Sequence, residues 1–248
     1  NAGEKMKAIR ALLGVALVFS GQAFAVNNSG LDVVNKNIHN WTDVLEQGET
    51  NLSFRARVER AHVSGSPLGE AHTVKTTFRY STPYVQSFAG LIEFNGVTGF
   101  FPGKHNPGLS IRSSKVNRPE IADPSGATFH RAFLSYNGFD DTVIVGGRQY
   151  IELDNGRFVS NYPFRQSPTT FDAISFTNRS VDDLEFFYAY FWQVNTPYAN
   201  ATVPLASRRN YSHLINASYK GLPFGSIIGY AYLINDKDLN TNSSRTAG

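Results

Sequence analysis

From about residue 50 onward, apolar and polar side chains alternate at a period of two. The run Leu52-Ser53-Phe54-Arg55-Ala56-Arg57-Val58-Glu59 puts carbon on one side and charge on the other. That is the spacing of a strand, because the charges of an amphipathic helix would recur every 3.6 residues. The pattern returns with Val74, Thr76, Phe78 and Tyr80 opposed to Lys75, Thr77, Arg79 and Ser81. Further strand-like runs cover about 85–95, 128–136, 142–148, 170–177, 184–194, 210–219 and 225–234, which predicts nine strands. Most approach the roughly 9–11 residues that a tilted strand needs to cross a bilayer. In 184–194 the inward face carries Phe187, Ala189 and Phe191, which suits a loop folded back onto it.

The connections alternate in length. They read AHVSGSPLGEAHT, TPY, 96–127, NGFDD, 149–169, TNRSVDD, 195–209 and KGLPF, in strict long and short succession. Outer-membrane barrels have this asymmetry, with short periplasmic turns and long extracellular loops. The predicted fold is therefore all-β, an antiparallel transmembrane β-barrel. Aromatic residues at strand ends, such as Tyr80, Tyr84, Tyr136, Tyr150 and Trp192, suit interfacial girdles, although β-propensity and packing also account for each singly.

The first 25 residues read differently. From Met6, Lys7 and Arg10 form a basic region, Ala11 to Ser20 an apolar one, and Ala23-Phe24-Ala25 a cleavage signal, which predicts export with cleavage after Ala25. The apolar run is too short to span a membrane. Residues 1–5 read as sequence upstream of the natural start, 6–25 as a signal peptide, 26–49 as a periplasmic lead-in and 50–248 as barrel. The segment Asp236 to Thr246 reads as loop, and nine strands is an odd count for a bacterial barrel. The expectation is thus the N-terminal part of a longer chain.

Composition narrows the function. Removing residues 1–25 leaves 20 basic and 19 acidic residues, a net charge of +1, with cations spread through the strands. That excludes the concentrated basic field of a nucleic-acid binder. No cysteine is present, so disulfides and thiolate metal sites are excluded. The six histidines have no ligand spacing, and neither a metal nor a cofactor is expected.

Between Asp123 and Ala173 the sequence resembles the alginate-export family of outer-membrane porins. The matching elements are Ala122-Asp123-Pro124 with Gly126, Ala132-Phe133-Leu134-Ser135-Tyr136, Gly147-Arg148-Gln149, Asp154-Asn155-x-Arg157-Phe158-Val159, Arg165-Gln166 and Thr170-Phe171-Asp172-Ala173. Weaker similarity reaches back to Asn51 and forward to Tyr232. The resemblance implies a monomeric barrel of about 18 strands, about nine of them here, whose narrow lumen is lined by Arg and Lys and, in the type member, exports alginate. Phe129-His130-Arg131 departs from a usually polar Asn-Gln pair, and Ser167-Pro168 interrupts a stretch normally richer in Asn, Glu and Gln. Both departures bear on the solute more than on the architecture.

Arg55, Arg57, Arg79 and Arg131 should point inward, because a charge on the lipid face costs about 2–4 kcal/mol at the midplane. Guanidinium groups bind carboxylates in bidentate fashion and stay charged. The candidate solute path comprises Arg55, Arg57, Arg79, Arg131, Arg148, Asp154, Asn155, Arg157, Arg165 and Asp172. Two readings stay open: these arginines select anions, or they pair with Glu59, Glu93, Asp172 or Glu185 and brace the wall. The block 149–169 is either a constriction folded inward or a rigid extracellular Ω-loop. The expected function is an outer-membrane channel for anionic or polar solutes, with uronate polysaccharide as one candidate and membrane lipid as surroundings. The alternatives are an outer-membrane enzyme, for which no Ser/His or Asp/His set is discernible by spacing, and a secreted carbohydrate-binding β protein.

Overall fold

The computed structural model describes residues 11–12, 18–19, 32–101, 104–108, 117–199, 201, 206–239 and 243–248. Most of the predicted leader lies outside them. Two short pieces of it, β1 (Ala11–Leu12) and β2 (Val18–Phe19), pair with the edge of a strand at Glu49–Ala61, β4.

All nine predicted strands form; most reach past their hydrophobic pattern by one to five residues at an end, and the one expected from residue 85 begins at Phe88. They are β4 (Glu49–Ala61), β5 (Gly69–Ser81), β7 (Phe88–Gly99), β8 (Gly126–Phe139), β9 (Thr142–Gln149), β10 (Thr170–Val181), β11 (Leu184–Asn195), β12 (Ser207–Leu222) and β13 (Gly225–Asn235). They make one antiparallel meander in which each strand pairs with the next. Further short elements go beyond the sequence pattern. The lead-in contributes β3 (Val34–Ile38), parallel to the short β6 (Pro83–Val85), followed by a 3₁₀ turn at Trp41–Asp43 and the single-turn α1 (Val44–Gln47). The segment read as terminal loop contains β14 (Ser243–Ala247), antiparallel to β13. Its polar SSRT run hides the strand, whose hydrogen bonds come from an edge already in place. Among the described residues no helix is long and apolar enough to cross a membrane.

The short turns work as their residues suggest. Asp141 and Asp183 take left-handed backbone angles, φ 49° and 60°, which Asp tolerates better than most residues. Successive hairpins are also staggered. One row of partners runs Thr50, Tyr80, Ile92, Ala132, Arg148, Asp172, Gln193, Arg209. It starts at the short-turn end of β4 and finishes at the long-loop end of β12, as strands inclined to a common axis require.

The two faces invert the usual distribution. On the outer face Leu52 is 58% exposed and Phe54 54%, with Ile92, Leu134, Ile174 and Ile215 also open. On the inner face Asn95 is 1% exposed, Arg57 and Arg131 4%, and Ser212 is fully buried. The N-terminal segment and the 150–169 loop cover that inner face. Apolar groups from both pack on the sheet: Val33 joins Leu91, Phe133 and Val145, while Ile151 and Val159 join Phe171, Ala189, Phe191 and Leu214. The apolar inward residues of β11 therefore do receive a folded-in loop.

One bulge sets the side on which Arg131 falls. Glu93 pairs with Arg131 and Phe94 with Phe129, so His130 is the extra residue. Strict alternation would put Phe129 and Arg131 on the same face. The inserted residue instead leaves Phe129 outside, its ring packed at a tilt on Phe94 with centroids 3.9 Å apart, and buries His130 and Arg131 inside.

Gly147 holds another special position. Its φ is +129°, and a Cβ there would lie 2.4 Å from the Ala132 carbonyl oxygen, whereas Gly146 faces open space. Gly147→Ala should cost about 1–3 kcal/mol or more, and Gly146→Ala should be nearly neutral. Denaturant unfolding of the two variants side by side checks this, and equal effects would contradict the strand geometry.

Candidate functional site

The 150–169 loop crosses the inner face from one part of the sheet to the other. At its first anchor the Asp154 carboxylate accepts hydrogen bonds from Asn216 Nδ2 at 2.9 Å and from the Tyr232 hydroxyl at 2.8 Å, tying it to β12 and β13. At its second anchor, residues 163–166 lie against β4 and β5. Arg55 donates to the carbonyls of Pro163, Phe164 and Arg165 at 3.0–3.3 Å. The fully buried Gln166 donates through Nε2 to Thr73 Oγ1 at 2.9 Å, and its backbone N–H reaches Asp123 Oδ1 at 2.8 Å. Of the two readings of this loop, the inward fold is the one observed.

Beneath the second anchor, Arg57 sits under the Phe164 ring at 3.8 Å and pairs with Glu59 and, at 3.2 Å, with Asp123. Glu59 also meets Arg165 at 3.4 Å. A second cluster lies nearer the short turns. Arg131 pairs with Glu93 and with Asp32 of the N-terminal segment, each at 2.7 Å, and lies 4.4 Å from the Tyr150 ring centre. Arg79 shares Asp32 at 2.7 Å. The β-bulge also places His130 Nε2 2.9 Å from the Tyr150 hydroxyl.

The remaining candidates divide. Asn155 caps its own loop, its Oδ1 accepting the Arg157 N–H at 3.1 Å, and Arg157 lies exposed beside Phe158 at 5.6 Å. Arg148 and Asp172, expected along the solute path, do not join the inner set. Gln149 takes the inward position, donating to the Val145 and Ala173 carbonyls and accepting from Ser175. Its neighbour Arg148 therefore faces out among Phe129, Ala132 and Trp192. There it binds Asp172 in bidentate fashion at 2.6 and 3.0 Å, and Asn195 supports Asp172 at 3.0 Å. Pairing neutralises a charge that the apolar surroundings would otherwise penalise.

Several participants escaped the sequence reading. Asp123 and Gln166 stand within the quoted motifs, yet their type gives no hint that they would meet 43 residues apart. Asp32 lies in a segment with no periodic pattern. At the loop end, Tyr198 donates to Glu120, linking the 196–206 loop to the 117–125 segment. Burial and the Glu120 carboxylate raise its phenol above the ordinary value.

Two cavities flank the folded-in loop. One of about 500 Å³ runs below it and is lined by Gln149, Glu152, Asp154, Arg179, Glu185, Asn216 and Lys220. The other, about 430 Å³, is more aromatic and opens at the long-loop end among Phe158, Tyr162, Phe171, Tyr198, Arg208 and Asp236. Among the described residues no group of three His, Asp or Glu side chains is placed to hold a metal ion.

No family model matches this sequence, and a search of curated proteins returns no match.

Chemically, the inner face can hold polar or charged groups. Most of its arginines stand in ion-paired clusters. Asp154→Ala should leave Asn216 and Tyr232 without their acceptor and destabilise the loop by about 1–3 kcal/mol. Trypsin cleavage after Arg157 should then be faster than in the parent protein, with Asp154→Asn intermediate; unchanged cleavage would mean that the anchor does not hold the loop.

Proposed function

We propose that this sheet is part of the wall of an outer-membrane β-barrel pore, monomeric, which passes anionic or polar solutes past the 150–169 loop. The observation that carries the reading is the inverted burial: aliphatic and aromatic side chains open on one face, and Arg, Glu, Asn and Ser buried on the other. Water on the outside would favour the opposite arrangement. A hydrocarbon solvent favours this one, since each unpaired charge facing lipid is costly and each apolar group is not. The long and short alternation of connections and the progressive stagger of the strands support the same reading.

In this reading the loop narrows the lumen, and the solute moves between its edge and the opposite wall. The two edges of the sheet, β4 and β14, are then completed by further pairing, since open edges do not survive in hydrocarbon. Cleavage after Ala25 would release the β1 and β2 pairings and free the edge of β4 for closure. The resemblance to alginate-export porins makes carboxylated sugars the first solutes to test.

The paired clusters refine the role of the arginines. Arg57, Arg79, Arg131 and Arg165 each have a carboxylate partner, so bracing the wall and the loop is their first task. Breaking such a buried pair typically costs about 3–5 kcal/mol. Selectivity then rests on the charge left over.

The full chain, purified from outer membranes, should migrate faster on gels before heating than after and should give discrete conductance steps in planar bilayers. Replacing residues 161–167 with a Gly-Ser segment should raise single-channel conductance by roughly twofold or more, because a constriction limits flux in series with the rest of the pore. A soluble protein without channel activity would refute the reading, and unchanged conductance in the loop variant would show that the loop does not narrow the path.

A further inference from the structure

The cavity of about 430 Å³ at the long-loop end has no part in the pore reading, and its walls define what it can hold. Its floor is apolar: Phe171, Phe191 and Val194 are buried there, and the two phenyl rings meet edge to face at 5.3 Å. Its rim carries open rings, with Phe158 47% and Tyr162 59% exposed. Small-molecule sites enclose roughly 300–1,000 Å³, and a dry cavity of about 150 Å³ already admits benzene. A buried apolar floor beneath exposed aromatic side chains favours a flat ring over water, because aromatic groups gain from offset and edge-to-face contact.

Most polar groups of the lining are already engaged within the protein. The Tyr198 hydroxyl donates to Glu120, Thr196 Oγ1 donates to the Ala206 carbonyl at 2.9 Å, Ser160 Oγ accepts the Tyr162 N–H at 3.1 Å, and Asn210 accepts from Ser212. Asp236 accepts the N–H groups of Asp238 and Leu239 at 3.1 and 3.2 Å and pairs with Arg208 at 3.1 Å. A sugar, with a hydroxyl on nearly every carbon, would exchange its water for few new partners. Arg208 is the exception. Its guanidinium has several N–H donors, its bonded partner among the described residues is Asp236, and its Nε has no acceptor. Asp236 cancels the charge, so what remains at this point of the wall is hydrogen-bonding capacity without net charge.

We propose that this cavity binds a small neutral aromatic compound bearing one hydrogen-bond acceptor, with its ring among Phe158, Tyr162, Phe171 and Phe191 and its acceptor toward the Arg208 guanidinium. A carbonyl or hydroxyl oxygen suits the paired Arg208 better than a carboxylate does, since Asp236 already supplies the negative charge. A rigid ring also loses less freedom on binding than a flexible chain of the same size. The loop contributes Phe158 and Tyr162, and the sheet contributes Phe171 from β10, Phe191 from β11 and Arg208 from β12, so the ligand bridges the two. The proposal goes beyond the pore reading, whose solutes are charged or polar, and its test does not involve conduction.

Photolabelling of the full chain in detergent with para-azidoacetophenone, followed by peptide mass mapping, tests binding and its place together. Adducts are expected within 158–162 and 191–198, and excess acetophenone should remove most of them. Val194→Phe, which fills the floor, should cut this displaceable labelling about fivefold or more, because a ligand needs most of its surface buried. Leu239→Trp fills the cavity from another wall and serves where the first variant does not fold. Arg208→Lys keeps a cation opposite Asp236 and removes the planar fork, so acetophenone should compete about 2–10-fold less well, the worth of one hydrogen bond. Benzoate should compete more weakly than acetophenone, and methyl glucoside should not compete. Labelling that acetophenone does not displace, or that is equal in the parent and in both filled variants, would overturn the proposal. So would displacement by benzoate or methyl glucoside in preference to acetophenone, which marks an anion site or a sugar site instead. If the protein forms no channel, the pore reading fails while the labelling still decides the site.

Discussion

A guanidinium enclosed between a sheet and a loop must be neutralised on nearly every side, and the placement of Arg57 shows how much follows from that. Its charge is met by Glu59 on its own strand and by Asp123 from the segment before β8. Its flat face is covered by Phe164, and Asp123 in turn accepts the Gln166 N–H. Removing water from an ion is expensive unless partners replace it. One buried charge therefore draws together β4, the approach to β8 and the tip of the 150–169 loop.

The same constraint explains the two ends of that loop and the N-terminal segment. Asp154 is held by Asn216 and Tyr232, so the loop starts on β12 and β13 and finishes on β4 and β5, a path no local preference would choose. Asp32 enters the inner face because Arg79 and Arg131 both require an acceptor there. Val33, next in the chain, then fills space against Leu91 and Phe133. Polar pairing fixes where these segments lie, and apolar contact secures them.

The outer face follows a simpler rule. It carries open aliphatic and aromatic groups, some in cross-strand pairs such as Phe94 with Phe129, and its ionic pair of Arg148 with Asp172 is bidentate and supported by Asn195. A cation on such a face persists only with its partner in the adjacent strand. The inner clusters, by contrast, share partners: Glu59 serves two arginines and Asp32 serves two more. With Asp123 in the first cluster and Glu93 in the second, each holds two arginines and two carboxylates and is internally neutral.

Strand positions, the direction of alternation in β4 and β5 and the turn-forming aspartates were legible in the sequence, because each depends on neighbours one or two residues away. Arg55, Arg57 and Arg79 lie on the face their spacing assigns. Arg131 reached the same face by a bulge at His130, and Arg148 left it because Gln149 occupies the inward position. For Arg131 the register of the partner strand decided the side, which spacing along one strand does not reveal, whereas Arg148 follows from the unbroken alternation of β9 with Val143 and Val145 inward. The polar β14 and the path of the 150–169 loop were equally hidden. Their hydrogen bonds go to an edge or to residues as many as 111 positions away, and such partners exist only once the sheet has assembled.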